Sequence, residues 1–139
     1  MGKLEFYGSL YMTKEGPILP QNMILGLLVN SAKKFREGDL AKTGIICEQP
    51  LKLEYDGPKD ADGLWADLNF RSSELVKVKA GRIVRTRPIF HHWEAEVTLI
   101  IDTRTVNPGR VLEWLIVGGR QVCVGDWHPQ HGRFEVQEL

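Results

Sequence analysis

The sequence predicts an α+β fold in which two helices cover one face of an antiparallel sheet. Three patterns indicate this fold. Apolar and polar residues alternate over 3–12, apolar residues recur at helical spacing over 20–37, and a strand pattern followed by a helix pattern returns after residue 93. Because 139 residues are enough for one hydrophobic core, we predict a single domain over 1–139.

The first half of the chain is predicted to form a strand, a helix and an extended segment. The strand is indicated by apolar or small residues at every second position, namely Leu4, Phe6, Gly8, Leu10 and Met12. The helix covers 20–37, with Pro20 in its first turn and Gly38 as its stop. An extended segment over 45–55 follows, and Pro50 interrupts it.

A β-hairpin and a further strand are predicted next. The hairpin occupies 77–87, turns at Ala80-Gly81 and ends at Pro88, and we place the whole insertion at about 70–90. Alternating apolar residues over 93–101 predict the strand.

The end of the chain predicts a second helix and a closing strand. Asn107 supplies an N-cap and Pro108 a first-turn proline, and the helix is expected to end at Gly118-Gly119. Its apolar stripe is Val111, Leu112, Leu115 and Ile116. Phe134 and Val136 are placed on the closing strand. Without the inserted hairpin the order is β-α-β-β-α-β, the ferredoxin-like arrangement.

Composition and charge limit the function classes. Equal numbers of basic and acidic residues, 18 each, argue against a protein that coats duplex DNA by bulk charge, but leave a local basic face open. Two cysteines make no disulfide framework, and no leader precedes the first strand pattern, so we expect a cytoplasmic protein. Apolar runs such as 23–29 are too short to span a bilayer, so no membrane partner is expected.

A glycine-rich loop over 118–133 is the first candidate binding site. Glycines let backbone amides approach phosphate oxygens, arginines pair with phosphate, and flat side chains stack on unpaired bases. The predicted contact residues are Arg120, Trp127, His128, His131 and Arg133. The alternative is structural: Gly118-Gly119 caps the helix, Trp127 packs into the core and Gly132 serves a bulge.

A basic hairpin is the second candidate site. Its predicted contact residues are Lys77, Lys79, Arg82, Arg85 and Arg87. No acid lies within 77–87, and like charges repel unless an anionic partner is present, so RNA or single-stranded DNA is the natural complement. A spacing of two puts Lys77 and Lys79 on one strand face, and likewise Arg85 and Arg87. The alternative is a solvated or edge-protecting face.

The segment from Gly118 to Val136 resembles the glycine-rich loop after the second helix of the RAMP (repeat-associated mysterious protein) superfamily, the ferredoxin-like RNA-binding proteins of CRISPR systems. Gly125 and Gly132-Arg133-Phe134 occupy the matching places. The resemblance implies a ferredoxin-like fold, RNA binding and self-assembly. The whole chain also resembles small uncharacterised bacteriophage proteins, which implies the cytoplasm of a bacterial host cell.

Neither a metal site nor a catalytic site is predicted. Cys123, His128 and His131 can be drawn as metal ligands, but their spacing matches no zinc pattern, so we expect no metal and no cofactor. The processing endonucleases among RAMP proteins carry their histidine on the first helix, and residues 20–37 contain none. The histidines that would have to replace it are His91, His92, His128 and His131.

Other chemically suggestive side chains are interpreted as structural. Glu94 and Glu96 share one face of an amphipathic strand and are expected to face solvent. Trp65, Trp93 and Trp114 are expected in the core rather than against a ligand.

The favoured function is non-enzymatic binding of single-stranded RNA or DNA by the basic hairpin and the glycine-rich loop. One alternative is a phage-encoded interaction or inhibitor protein that binds a host protein or a small nucleotide. A second alternative is a metal-independent RNA endonuclease. Self-assembly is also open, because Ile100, Tyr7 and Tyr11 are expected to be outward-facing.

Overall fold

The computed structural model describes residues 2–79, 81–123 and 133–138, which form a mixed α+β chain. The α+β class is therefore confirmed. In chain order the elements are α1 (Gly2–Ser9), β1 (Met12–Thr13), β2 (Gly16–Leu19), α2 (Gln21–Lys33), α3 (Gly38–Gly44), β3 (Ile45–Ile46), β4 (Leu51–Lys52), α4 (Ala61–Ala66), a 3-10 turn (Leu68–Phe70), β5 (Arg71–Val78), β6 (Gly81–Pro88), β7 (Ile100–Ile101), α5 (Pro108–Val117) and a π-helical turn (Gly118–Val122).

The described strands form three small antiparallel sheets. Their strand orders are β1-β2-β4, β3-β7 and β5-β6. The chain divides into two compact units. Unit 1 comprises Met1–Leu19 and Leu51–Glu96, and unit 2 comprises Pro20–Pro50 and Val97–Leu139. The single domain over 1–139 stays a prediction.

The first predicted strand is wrong, because residues Gly2–Ser9 form helix α1. An alternating pattern also places Phe6 and Leu10 four residues apart, which is one face of a helix. Phe6 is fully buried and Leu10 is buried, whereas Leu4 is 79% exposed. The two buried apolar residues of this segment are therefore at helical spacing.

Aromatic side chains dominate the core of unit 1. Its buried centre is Phe6, Leu10 and Leu64. Partly buried side chains pack against this centre, namely Tyr7, Met12, Tyr55, Ala61, Trp65, Phe70 and Phe90. The Phe6 and Trp65 rings meet edge to face with centroids 5.4 Å apart. This cluster lies where the chain enters and leaves the β5–β6 hairpin.

Helix α2 in unit 2 is confirmed, with different ends. Pro20 is the N-cap rather than a first-turn residue, and the helix ends at Lys33 rather than at Gly38. Arg36 takes a left-handed conformation, φ +59°. Its N–H donates to the carbonyl of Lys33 at 3.0 Å, and the next N–H donates to Ala32 at 2.9 Å, the pattern of a Schellman motif. Gly38 then begins α3.

Helix α5 begins and ends as predicted. The Asn107 side chain accepts a hydrogen bond from the Gly109 N–H at 2.9 Å, and Pro108 is the first helical residue. The α-helix ends at Val117 with Gly118 as its C-cap, as predicted, and a π-helical turn follows over Gly118–Val122. The buried face is Val111 and Trp114, so the apolar stripe is rotated relative to the prediction.

The two predicted strands after the hairpin are largely wrong. Within 93–101 only Ile100–Ile101 forms a strand, paired with Ile45–Ile46. Glu94 makes an isolated bridge to Glu54. Residues 133–138, where the closing strand was predicted, belong to no strand. Alternation of side-chain exposure continues through 93–101 without a paired ladder, which is why the sequence pattern there resembles a strand.

Candidate nucleic-acid interface

The predicted hairpin is confirmed and is longer than predicted. β5 and β6 pair antiparallel over eight residues each, from Arg71 opposite Pro88 to Val78 opposite Gly81. Gly81 has φ +128°, which favours glycine and suits the turn. Ala80, the other predicted turn residue, lies outside the described residues. The extension toward Arg71 begins with four polar residues, 71–74, that carried no strand pattern.

The register divides the predicted basic cluster between two faces of the hairpin. Lys77 stands opposite Arg82, and Arg85 stands opposite Glu74. Because positions directly opposite each other share a face and successive positions alternate, positions 77 and 82 fall on one face. Positions 85 and 87 fall on the other. The predicted pairs are each on one face, but the two pairs do not share a face.

The basic residues of the hairpin also differ in how exposed they are to solvent. Lys79 and Arg82 are exposed and flank the turn, whereas Arg87 is half-buried. The side chains of Lys77 and Arg85 lie outside the described part of the chain. We call Lys79 and Arg82, together with position 77, the basic tip. It lies at the free end of the ladder, where an elongated anion can approach.

The opposite end of the hairpin is attached to the body of unit 1. Thr86 is buried, with 7% of its surface exposed, and its hydroxyl lies 3.0 Å from that of Ser73 on the neighbouring strand. Helix α1 packs against β6. At the foot of β5 the Arg71 guanidinium carbon lies 4.3 Å from the centroid of the Trp65 ring. The hairpin is thus held at its foot and exposed at its tip.

The first part of the glycine-rich loop is structural. Gly118, Gly119, Val122 and Cys123 are buried in unit 2. A Cβ on Gly118 would stand 2.6 Å from the Ser31 hydroxyl oxygen, and one on Gly119 would collide with the carbonyl of Phe134. The Phe134 N–H donates to the Gly119 carbonyl at 3.1 Å. Gly118 is the C-cap of α5, as the structural alternative predicted, and both glycines also allow close packing.

The contact residues predicted in this loop are only partly described. Arg120 and Arg133 are exposed. Trp127, His128 and His131 lie outside the described residues, as do Gly125 and Gly132, so their roles stay predictions. The loop belongs to unit 2 and the basic hairpin to unit 1.

The remaining candidate side chains are placed as follows. His91 and His92 are exposed, and so are Glu94 and Glu96, as expected for the two glutamates.

Trp114 is fully buried, which confirms it as a core residue, whereas Trp65 and Trp93 are half-buried. Ile100 and Tyr11 are 48% and 49% exposed, and Tyr7 is half-buried.

No metal centre is formed by the part of the chain that the structure describes, where no group of three His, Cys, Asp or Glu side chains could hold an ion. Cys123 is buried, and its thiol lies 3.7 Å from the carbonyl of Gly119. The two histidines drawn beside it in the sequence lie outside the described residues.

Some charged side chains outside the hairpin are already paired. Arg110 donates to Glu37 at 2.6 Å, contacts Glu113, and lies over the ring of Phe35. The hydrogen bonds that Arg110 donates to these two carboxylates raise its pKa. Hydrogen bonds from Arg104 hold the pKa of Asp102 below its ordinary value. These cations have intramolecular partners, unlike the cations that a nucleic acid would need.

The pair of Arg71 and Trp65 is the feature that the sequence did not reveal. Arg71 precedes the predicted hairpin and Trp65 was assigned to the core, and their spacing of six residues follows no helical or strand period. Only the turn through Leu68–Phe70 brings the two side chains together. A tryptophan followed within a few residues by an arginine at a strand start was the available signal, and it is a weak one.

No described helix combines the length and apolar character that crossing a membrane requires. Comparison with protein-family models, with curated proteins and with solved structures finds no match to this chain.

Proposed function

We propose that the protein binds single-stranded RNA or DNA, without cleaving it, through the basic tip of the β5–β6 hairpin. The observation that carries the proposal is the exposure of Lys79 and Arg82 on either side of the turn. No acidic residue lies within 77–87 to neutralise them locally. When such cations bind phosphates, the counterions condensed on the nucleic acid are released, and this release favours binding.

A single strand suits this surface better than a duplex does. The chain has zero net charge, so bulk attraction to a duplex is absent and only local cations contribute. The tip of a two-stranded ribbon is narrow and offers few cations. A flexible single strand can bend around it and present successive phosphates.

The glycine-rich loop is proposed as a second contact surface. Its contacts would come from Arg120, Trp127, His128, His131 and Arg133. Membership of the RAMP superfamily and a phage origin belong to the same proposal and rest on the sequence resemblance alone. The full ferredoxin-like order rests on the resemblance and on the order of the sequence patterns, and self-assembly rests on the resemblance and on the exposed Ile100 and Tyr11. The interaction or inhibitor protein and the metal-independent endonuclease remain the alternatives.

The test is the salt dependence of binding to a fluorescent single strand of about ten nucleotides, a length typical of single-strand sites. Lys79→Gln/Arg82→Gln should lower the slope of log K against log salt by about 1.4, since each lost phosphate contact on a single strand removes about 0.7. The matched control is Lys34→Gln/Lys42→Gln, which removes the same charge from exposed positions in unit 2.

Two results would contradict the proposal. One is the absence of binding by the wild type at low salt. The other is an equal loss in the control variant, which would mean that net charge and not the basic tip drives binding. A third variant, Arg85→Gln/Arg87→Gln, tests the opposite face of the hairpin and should reduce the slope less than the tip variant.

A further inference from the structure

The foot of the hairpin holds a cation on an aromatic ring. The Arg71 guanidinium carbon lies over Trp65, 4.3 Å from the ring centroid. Trp65 is fixed from another side by the edge-to-face contact with the fully buried Phe6. The indole is therefore anchored in the core of unit 1, and it positions the guanidinium above it.

The charge of Arg71 has no acidic partner in the described part of the chain. Its Nε is buried and finds no hydrogen-bond acceptor among the described residues. The described ion pairs involve Arg104 and Arg110 instead. Arg71 as a whole is half-buried, so part of its surface is exposed to an anionic or planar ligand.

Arg71 shares a face of the hairpin with the basic tip. Positions 71, 73 and 77 of β5 lie on one face by their spacing of two, and position 82 stands opposite 77. Ser73 is exposed, although its neighbour Thr86 is buried. The β5 side of this face is therefore accessible next to Arg71. From Arg71 to the tip the strand extends roughly 20–25 Å, at about 3.3 Å per residue.

We propose that the pair of Arg71 and Trp65 is a base-stacking site, in which a nucleobase of the bound single strand lies on the outer face of the Arg71 guanidinium. This inference rests on the proposed function and adds a second contact to it. Guanidinium planes stack on bases as aromatic side chains do, and they accept any base because every base has a π face. Phosphates would then bind at the basic tip, and a base would bind at the foot.

The test compares two fluorescent probes of equal length, about ten nucleotides each. One is an oligothymidylate and the other is an abasic deoxyribose-phosphate strand. The wild type should bind the oligothymidylate about 5-fold to 150-fold more tightly, the ratio expected for one stacked base. Arg71→Lys keeps the positive charge but removes the planar guanidinium. The affinity ratio should therefore fall toward one, while the slope of log K against log salt is retained. The matched control, Arg104→Lys, changes an arginine of unit 2 that is 91% exposed and should keep the wild-type ratio.

A second variant helps to distinguish loss of the stacking site from a folding defect. Trp65→Phe retains an aromatic ring against Phe6 but leaves a smaller ring under Arg71. The ratio of affinities for the oligothymidylate and the abasic strand should therefore fall part of the way toward one. Thermal unfolding followed by circular dichroism checks both variants. If the wild-type ratio is near one, or if folded Arg71→Lys keeps the wild-type ratio, the stacking site is wrong and salt-sensitive binding stands. If neither probe binds at low salt, the proposed function itself is wrong.

Discussion

Arg36 holds a backbone conformation that a side chain disfavours. Its φ of +59° closes the Schellman motif after α2, a position where glycine is the usual residue. A Cβ in this region crowds the following carbonyl. This conformation could not be predicted from the sequence, since Gly38 looked like the helix stop and Arg36 like one more residue on a helical face. By contrast, the Asn107 cap was predictable, because its chemistry involves only the next two residues.

Replacing Arg36 with glycine should stabilise the protein. Arg36→Gly removes the steric cost of the left-handed conformation, about 1–2 kcal/mol, and adds backbone entropy to the unfolded chain, about 0.5–1 kcal/mol. We expect a net gain of roughly 0.5–1 kcal/mol in the free energy of unfolding, measured in urea. Arg36→Ala retains the Cβ and serves as the control, with no comparable gain. A loss of stability in Arg36→Gly would contradict the left-handed assignment.

Among the helices and strands, those marked by local sequence signals could be predicted reliably, and tertiary packing decided the others. The hairpin was predictable because Gly81 and Pro88 mark its turn and its end within the sequence. The segment of α1 was not, because a period of two and a helical face both include Phe6 and Leu10. The choice between them depends on Trp65, which arrives from a distant part of the chain. The first half of β5 was missed because its residues are polar.

Two alanine substitutions distinguish a glycine that close packing requires from one that it does not. Gly119→Ala should lower the free energy of unfolding by about 1–3 kcal/mol, because its Cβ would press on the backbone of Phe134 and a rigid backbone yields little. Gly26→Ala is the control, since its Cβ meets nothing within 4 Å in the interior of α2. That change should stabilise by about 0.5–1 kcal/mol. Equal effects of the two changes in urea unfolding would argue against the Gly119–Phe134 approach.

At the scale of the whole molecule, charge balance and charge placement have different consequences. The 18 basic and 18 acidic residues cancel, yet Lys79 and Arg82 are exposed on a stretch, 77–87, that contains no acid. The position of this charge could partly be predicted from the sequence, since both residues were predicted to contact nucleic acid. The division of the cluster between two faces was not, because it depends on the strand register. The contact of Arg71 with Trp65 depends on tertiary packing as well.

This charge balance predicts a preference for unpaired strands. A duplex of the same length as the single-strand probe should bind no more tightly at equal salt, because zero net charge gives no bulk attraction and paired bases cannot stack on a side chain. Competition between labelled single strand and unlabelled duplex measures the difference. Displacement of the single strand by an equimolar duplex would show that backbone charge alone is recognised.

The hairpin also has a consequence for handling the protein. Among the described strands, β5 and β6 pair only with each other, so each has an outer edge with backbone groups that another strand can bond. Arg82 on that ribbon repels the same residue of a second copy, and this repulsion acts over about 10 Å at 0.1 M salt. A high-salt wash that removes bound nucleic acid during purification therefore weakens the repulsion that keeps hairpins of different molecules apart. The cleanest preparations should accordingly be the ones most prone to aggregate.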